Sequence, residues 1–461
     1  MTTLTSYESV LDAATMIADP LADRTIATIL GPWPDEAAQH SAHWHNINLV
    51  NQQFAYWQSN ASLHQGLAPD LPPAVQSALR EYLQQGQILP PWADLAKIER
   101  AETLFYEYGV LSCILLFCSS LPECYVIPDL AAVLHIAGQL DEHTDARVRA
   151  TAAMIFPVML PGGLSQADGS GIAQILKVRL IHATIRNLIL HGDPEQTLQD
   201  MQNQLAGAGQ IAANTEGQNQ RRNLGQQLFA HGWDAKQDGL PCNQEELAYT
   251  LLTFSYVFLR SMRRLGLGLA AEDEVAYLHA WNVVGHILGI RSELMAHDMA
   301  QAKALFIRMQ ERGRLQQRQP DPRPQLGRAL MQAMENVIPL ELFKPFPSLM
   351  TRYLCGKQSA HDIGVAQRPS TMTRWLFEAV MGAVLGIDRI ARKFWPHFAI
   401  SRFITRVIGM RFLSEILMSQ TRPLKLPDSV LSQMNQSMQT WQVDEKAPKW
   451  MQVLEKRWRK K

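Results

Sequence analysis

His182 stands in the run Lys177-Val178-Arg179-Leu180-Ile181-His182-Ala183-Thr184-Ile185-Arg186, with one arginine three residues before it and another four after. Helical spacings of three and four put Arg179, His182 and Arg186 on one face and turn Lys177 away from it. A neutral imidazole in apolar surroundings can give a lone pair to a metal, and a guanidinium can hold a carboxylate in a fork of two hydrogen bonds. Together these groups suit a flat, apolar, dianionic ligand. Haem answers that description, with the imidazole on iron and Arg179 and Arg186 on the two propionates. Residue types alone leave a second reading open: a hydrogen-bonded core histidine with arginines along a solvated edge, the commoner fate of a lone histidine on an apolar helix.

Other constellations are weaker. His279 and His286 lie seven apart in one helical stretch and could share a face, and His43 and His45 flank Trp44. Packing in the core or along a pocket wall is the ordinary fate of such side chains. A carboxylate-bridged di-metal site would need Glu-x-x-His pairs on two helices, and no such repeated pair occurs. Nucleophile elbows, glycine-rich phosphate loops and zinc-type cysteine pairs are also missing from the sequence.

Helices are needed to position these groups, and apolar residues recur at helical period through most of the chain, with no convincing set of alternating strands. Asn243 with Glu246 three residues later forms a capping-box pattern, which predicts a helix running to Arg264 with Gly266 as its stop. A second helix is expected from about Glu272 to Leu288, closed by Gly289, and a third from near His297 to just before Gly313. Residues 192 to 240 are rich in Gln, Asn and Gly, with a short helix expected near Leu198–Leu205. Gln319-Pro320-Asp321-Pro322-Arg323-Pro324 reads as an extended connector.

Composition narrows the partners. The 461 residues are 47% hydrophobic and 19% charged, ordinary values for a protein with a large core. With 43 basic and 43 acidic residues the formal charge is zero, so no global field recruits nucleic acid. The five cysteines, Cys113, Cys118, Cys124, Cys242 and Cys355, include no C-x-x-C pair and suit a reducing compartment. Met1-Thr2-Thr3-Leu4-Thr5 has neither the basic nor the apolar region of a secretion signal, and no apolar run reaches spanning length, Val110–Cys118 being among the longest. The cytosol is the expected location. Near the C-terminus, Arg392-Lys393-Phe394-Trp395-Pro396, Ile400–Met410 and Lys456-Arg457-Trp458-Arg459-Lys460-Lys461 read as a core helix with a solvated basic tail. A surface resting on an anionic membrane is the alternative.

The order of the motifs resembles that of the latex-clearing rubber oxygenases and MpaB-type oxygenases, over roughly residues 90 to 425. Leu89-Pro90-Pro91-Trp92-Ala93-Asp94 and Ser120-Leu121-Pro122-Glu123-Cys124-Tyr125 come first, then Arg147-Val148-Arg149-Ala150-Thr151 and Pro161-Gly162-Gly163-Leu164. The His182 run follows, then Pro241-Cys242-Asn243-Gln244-Glu245-Glu246-Leu247 and Tyr277-Leu278-His279-Ala280-Trp281-Asn282-Val283-Val284-Gly285-His286-Ile287-Leu288-Gly289.

This resemblance implies an all-α fold, a single large helical domain around a haem pocket, described as a globin-like core with added helices. Its expected parts are an N-terminal extension (1–88), a haem-binding oxygenase core (89–315) and a C-terminal helical part with a basic tail (316–461). It implies haem b as cofactor, dioxygen as co-substrate and cleavage of a carbon–carbon double bond in a hydrophobic isoprenoid. His182 would be the proximal ligand, and Arg147 and Thr151 would be catalytic, on one face of the preceding helix. Arg147 has an alternative as a surface partner of Asp141 or Glu142. The sequence departs from the pattern at Ala150, where rubber oxygenases of the best-known type carry a lysine that can cap the iron. Their upstream glutamate base has no clean match either, leaving Glu123 and Asp129 as candidates. A haem-binding sensor or carrier is the alternative function, and a cofactor-free, membrane-peripheral helical interaction protein is a third.

Overall fold

The computed structural model describes residues 2–34, 41–138, 144–190, 233–336 and 341–365, with a few further positions between 338 and 386; the side chains of residues 136–150 are outside the described set. Among the described residues the structure is helical, with no strand. The expected helix near Leu198–Leu205, the C-terminal basic segments and the side chain of Arg147 all lie outside the described residues.

The first half of the chain forms α1 (Thr2–Thr15), α2 (Pro20–Leu30), α3 (Ser41–Gln53), α4 (Pro73–Gly86), α5 (Leu95–Tyr108), α6 (Val110–Leu115), α7 (Leu121–Cys124), α8 (Pro128–Gly138), α9 (Thr144–Met159) and α10 (Gly171–Leu190). A π-helical turn, Leu116–Ser120, joins α6 to α7 with all five residues buried. One apolar cluster takes in side chains from Leu11 to Val365 and so draws on all three expected segments of the chain. Among the described residues no single helix is long and apolar enough to cross a membrane. All five cysteines are buried and unpaired.

The helix carrying His182 is α10, twenty residues long. Its first turn is capped from a distance: Asn60 Oδ1 accepts the amides of Ile172 (3.0 Å) and Ala173 (3.3 Å), while Asn60 Nδ2 donates to the carbonyls of Gly163 and Gln166. A side-chain oxygen at a helix start satisfies amides that have no carbonyl one turn back. The loop before α10 needs glycine for want of room: a Cβ at Gly163 would lie 2.2 Å from the Pro157 carbonyl oxygen. Glu102 of α5 holds the same loop, accepting from the amides of Gly162 (2.7 Å) and Leu164 (3.1 Å). Helix α10 packs on both α9 and α2. Gln174 Nε2 donates to the Ala153 carbonyl of α9 at 3.1 Å, and Tyr82 of α4 donates to the Leu176 carbonyl at 2.7 Å.

The second half differs from expectation at two helices: the one from Asn243 breaks, and the one expected to stop before Gly313 runs through it to Arg314. Asn243 caps as its type predicts, its Oδ1 accepting the Glu246 amide at 3.0 Å. The helix then breaks at Ser255, giving α11 (Gln244–Phe254) and α12 (Tyr256–Arg264). The Ser255 hydroxyl bonds back to the Leu251 carbonyl at 2.8 Å, a contact that competes with the helical ladder and bends it. Helix α13 (Ala271–Ile287) ends as predicted beside Gly289, whose φ is +84°. The next, α14 (Met299–Arg314), is capped by Asp298, one residue past the expected His297. The proline-rich connector precedes α15 (Arg323–Asn336).

Candidate functional site

Helix α10 has two unlike sides. Towards α2 it presents Arg179 and Arg186, both buried. Arg179 grips Asp19 through Nε (2.5 Å) and Nη2 (2.7 Å), and its Nη1 donates to the Ile287 carbonyl at the end of α13 (2.9 Å). Arg186 holds Asp23 through Nε and Nη2 (2.8 and 2.7 Å), and its Nη1 donates to the carbonyls of Pro241 and Cys242. The arrangement leaves neither guanidinium facing an open ligand space, so the expected propionate role for Arg179 and Arg186 is replaced by a structural one. Asp19 does double duty, because its carboxylate also accepts the Ala22 amide as the cap of α2.

The strip beside the two arginines carries Val178, Ile181, His182 and Ile185, all four half-buried on a helix that is otherwise mostly buried, with His182 at the edge that borders the arginines as its spacing predicts. Steps of three and four residues gather them on one face. On the neighbouring α9, Thr151 and Met154 are half-buried in the same way. Among the described residues no hydrogen bond reaches either ring nitrogen of His182. Burial, assisted by the positive charge of Arg186, pushes the His182 imidazolium down to about 4, so the ring is neutral at pH 7 and keeps a free lone pair. Thr151, by contrast, does have an interaction in the structure.

Lys177 lies on α10 one turn before Ile181, five residues and so well round the helix from His182, and it is only 2% exposed. Turned away from the face of Arg179, His182 and Arg186 as its spacing predicts, it leads into protein and not into water. No hydrogen bond or ion pair of its ammonium occurs among the described residues, and burial alone lowers it to about 8.

The candidate bases are occupied. Glu123 receives Arg260 Nη2 (2.7 Å), Gln310 Nε2 (2.8 Å) and the Ser359 hydroxyl (3.0 Å). Asp129 is held by Arg318 Nε at 2.7 Å, and burial raises it to about 6 against that pairing. The Glu246 carboxyl, expected to complete the capping box, is buried with both oxygens unbonded among the described residues. Burial, with Asp129 nearby, raises it to about 8. His279 accepts the Asp94 amide through Nε2 at 2.8 Å, and both His279 and His286 meet the Trp92 ring edge-on. His279 is half-buried and His286 exposed, and both pack against that one ring.

Sequence reasoning missed the partners more than the helix. Asp19 before Pro20 is a helix-start signal that periodicity could have used. Nothing local marks Asp23, Asn60 or Glu102 as the residues that place α10. Among the described residues no group of three or more His, Cys, Asp or Glu side chains could hold a metal ion. A single open imidazole on an apolar face is what a metal carried in its own macrocycle requires, since the macrocycle fills the other in-plane positions.

Comparison with known proteins gives three findings. Residues 125–385 match the family model for the catalytic domain of ER-bound oxygenase mpaB/B'/rubber oxygenase. A rubber oxygenase of Streptomyces sp. (strain K30) is 24% identical over 333 residues, which is 70% of this chain and 67% of that protein. The solved structure of a latex clearing protein in the closed state resembles this one with a TM-score of 0.61 at 19% identity, covering 89% of this chain and 92% of that one.

Proposed function

Because the chain belongs to the mpaB/rubber oxygenase family, we propose that it is a haem b-dependent oxygenase that uses dioxygen to cleave or oxidise a carbon–carbon double bond in a hydrophobic, isoprenoid substrate. The similar protein from Streptomyces is named a rubber oxygenase, which supports an isoprenoid as the substrate class. One observation carries the cofactor: His182 is a neutral, unbonded imidazole on a half-buried helix strip whose other members, Val178, Ile181 and Ile185, are apolar.

The fit is specific. His182 would hold the iron, and Val178, Ile181 and Ile185 would line the flat face of the ring system. The bound haem would supply dioxygen activation. The chain supplies the rest. Arg179 and Arg186 pin α10 to α2, so the imidazole is carried on a helix that cannot rotate. Asn60 fixes the start of that helix. The apolar face excludes water and leaves an alkene with no polar competitor. Thr151, half-buried on α9, would donate its hydroxyl within the same helix pair.

A second reading has its own observation. Glu123 and Asp129 are both tied to arginines, so neither offers an idle carboxylate as a base. That favours a haem-binding sensor or carrier over a base-assisted enzyme.

The test is the visible spectrum of the full chain loaded with haem, beside that of His182→Ala. The expected result is a Soret band that the variant loses or shifts strongly. An identical band in both would move the ligand elsewhere and overturn the assignment. Incubation with an isoprenoid alkene under oxygen then separates the two functions, since carbonyl products appear only if the protein is an oxygenase.

A further inference from the structure

Tyr256, Arg260 and Arg264 follow one another at steps of four on α12, so they share a face, with Arg263 beside them. Met299 and Lys303 stand in the same relation at the start of α14, which packs against α12. These six side chains line a cavity of about 280 Å³. None of them belongs to α9 or α10, the helices that carry Thr151 and His182. Four of the six are cations, and only two of those have a carboxylate: Arg260 Nη2 donates to Glu123 at 2.7 Å, and Arg263 holds Glu274 through Nε and Nη2. Arg264 spends Nη1 on the Leu354 carbonyl, which brings no charge, and Lys303 has no hydrogen bond or ion pair among the described residues. Asp298, next to Met299, caps the amides of Ala300 and Gln301 and does not line the cavity. Burial, then the neighbouring Arg260 charge, pushes the Arg264 guanidinium down from its ordinary value, the direction of a cation without a counter-charge. Donors are left over as well. Tyr256 is only 5% exposed, and its hydroxyl makes no hydrogen bond among the described residues. Arg260 lies over the Tyr256 and Phe306 rings, 5.9 and 5.4 Å from their centroids, and its Nε is buried without an acceptor.

We infer that this cavity binds a phosphoryl group, with Arg264 and Lys303 balancing its charge and Tyr256 and Arg260 orienting its oxygens. A phosphate monoester carries a charge of about −1.5 to −2 at pH 7 and three strong acceptor oxygens, which matches two uncompensated cations and the idle donors. A carboxylate would leave one of those cations unpaired. The group arrives either on a soluble molecule or as the headgroup of an anionic lipid, since the recognising atoms are the same for both.

The test titrates the full chain with inorganic phosphate at constant ionic strength, read by calorimetry, and repeats the titration on the double variant Arg264→Gln/Lys303→Gln. Saturable binding in the parent, weakened on the order of tenfold or more in the double variant, is the expected result. Lys344→Gln removes an exposed cation on another segment and should change nothing. Sedimentation with phosphatidylcholine vesicles, with and without phosphatidic acid, separates the sources. Sedimentation that requires phosphatidic acid and that the double variant loses identifies a lipid headgroup; phosphate binding without sedimentation identifies a soluble phosphate monoester. The inference is overturned if the parent binds neither probe, or if the double variant keeps what the parent binds. Should the double variant lose its helical circular dichroism, Lys303→Glu reverses a single exposed charge and should weaken binding by a similar factor. Tyr256→Phe removes only the hydroxyl and should weaken phosphate severalfold with no loss of melting temperature.

Discussion

The two sides of α10 are built to opposite rules. Against α2 every charge has its complement: Asp19 with Arg179 and Asp23 with Arg186, all buried and bonded at 2.5–2.8 Å. Beside them the His182 imidazole has no hydrogen-bond partner among the described residues, and Val178, Ile181 and Ile185 are only half covered. A buried ion pair adds little net stability over an apolar substitute but makes a wrong arrangement very unfavourable. The closed side therefore fixes the rotation of the helix, and the open side spends that certainty on a ligand. The family to which the chain belongs points to chemistry, and the contrast shows which surface it would use.

Breaking the closed side should have the largest effect. Arg186→Met leaves Asp23 buried and unpaired, and should destabilise the fold by about 3–5 kcal/mol in denaturant titration. Adding Asp23→Leu should restore most of that loss, because the orphaned charge is gone. If the double variant is no better than the single one, the bonds to the Pro241 and Cys242 carbonyls matter more than the ion pair.

Glu246 sharpens the comparison, because it is an unbonded carboxyl on α11, one turn beyond the Cys242 whose carbonyl Arg186 holds. Its folded state holds a proton up to about pH 8, while the unfolded chain releases it near the ordinary value of 4.5. Stability linked to this group is therefore fully present at low pH and falls as pH rises from about 4.5 through about 8. Glu246→Gln stays neutral throughout. It should stabilise the protein on the order of 3 kcal/mol at pH 8 and less than ~1 kcal/mol at pH 5. An equal effect at both pH values would mean that the carboxyl is not titrating in this window.

The smallest effect belongs to a histidine away from both sides. His279→Gln keeps an acceptor for the Asp94 amide, so stability should change by less than about 1 kcal/mol and the Soret band should stay where it is. A shifted band would place His279 in the ligand field and erase the distinction between packing and ligating histidines.

Local signals carried much of this architecture. The helical period around His182 gives the open face, Asn243 marks a helix start, and Gly289 marks a stop, because capping and handedness are decided within a few residues. The break at Ser255 is legible only faintly, since a serine back-bond competes with the ladder at some positions and not at others. The arginines were read for the right property and given the wrong partner. Helical phase says which residues share a face, but what stands opposite is set by segments more than a hundred positions away. Lys177 shows the same limit: its direction follows from spacing, whereas its burial depends on how α9 and α10 meet.

Arg179 touches Asp19, 160 residues earlier, and the Ile287 carbonyl, 108 residues later. During synthesis at about 5–20 residues per second, α2 emerges roughly eight to thirty seconds before α10 can reach it. The third member of the junction follows after a further interval of comparable length. Until then the two aspartates remain hydrated and α2 has α3 and α4 to pack on, so the clasp that orients His182 is complete only once the chain has reached Ile287. Removing α2 would strand two buried arginines at once, and an expression strategy that trims the N-terminus for convenience would delete the half of the clasp that is made first and used last.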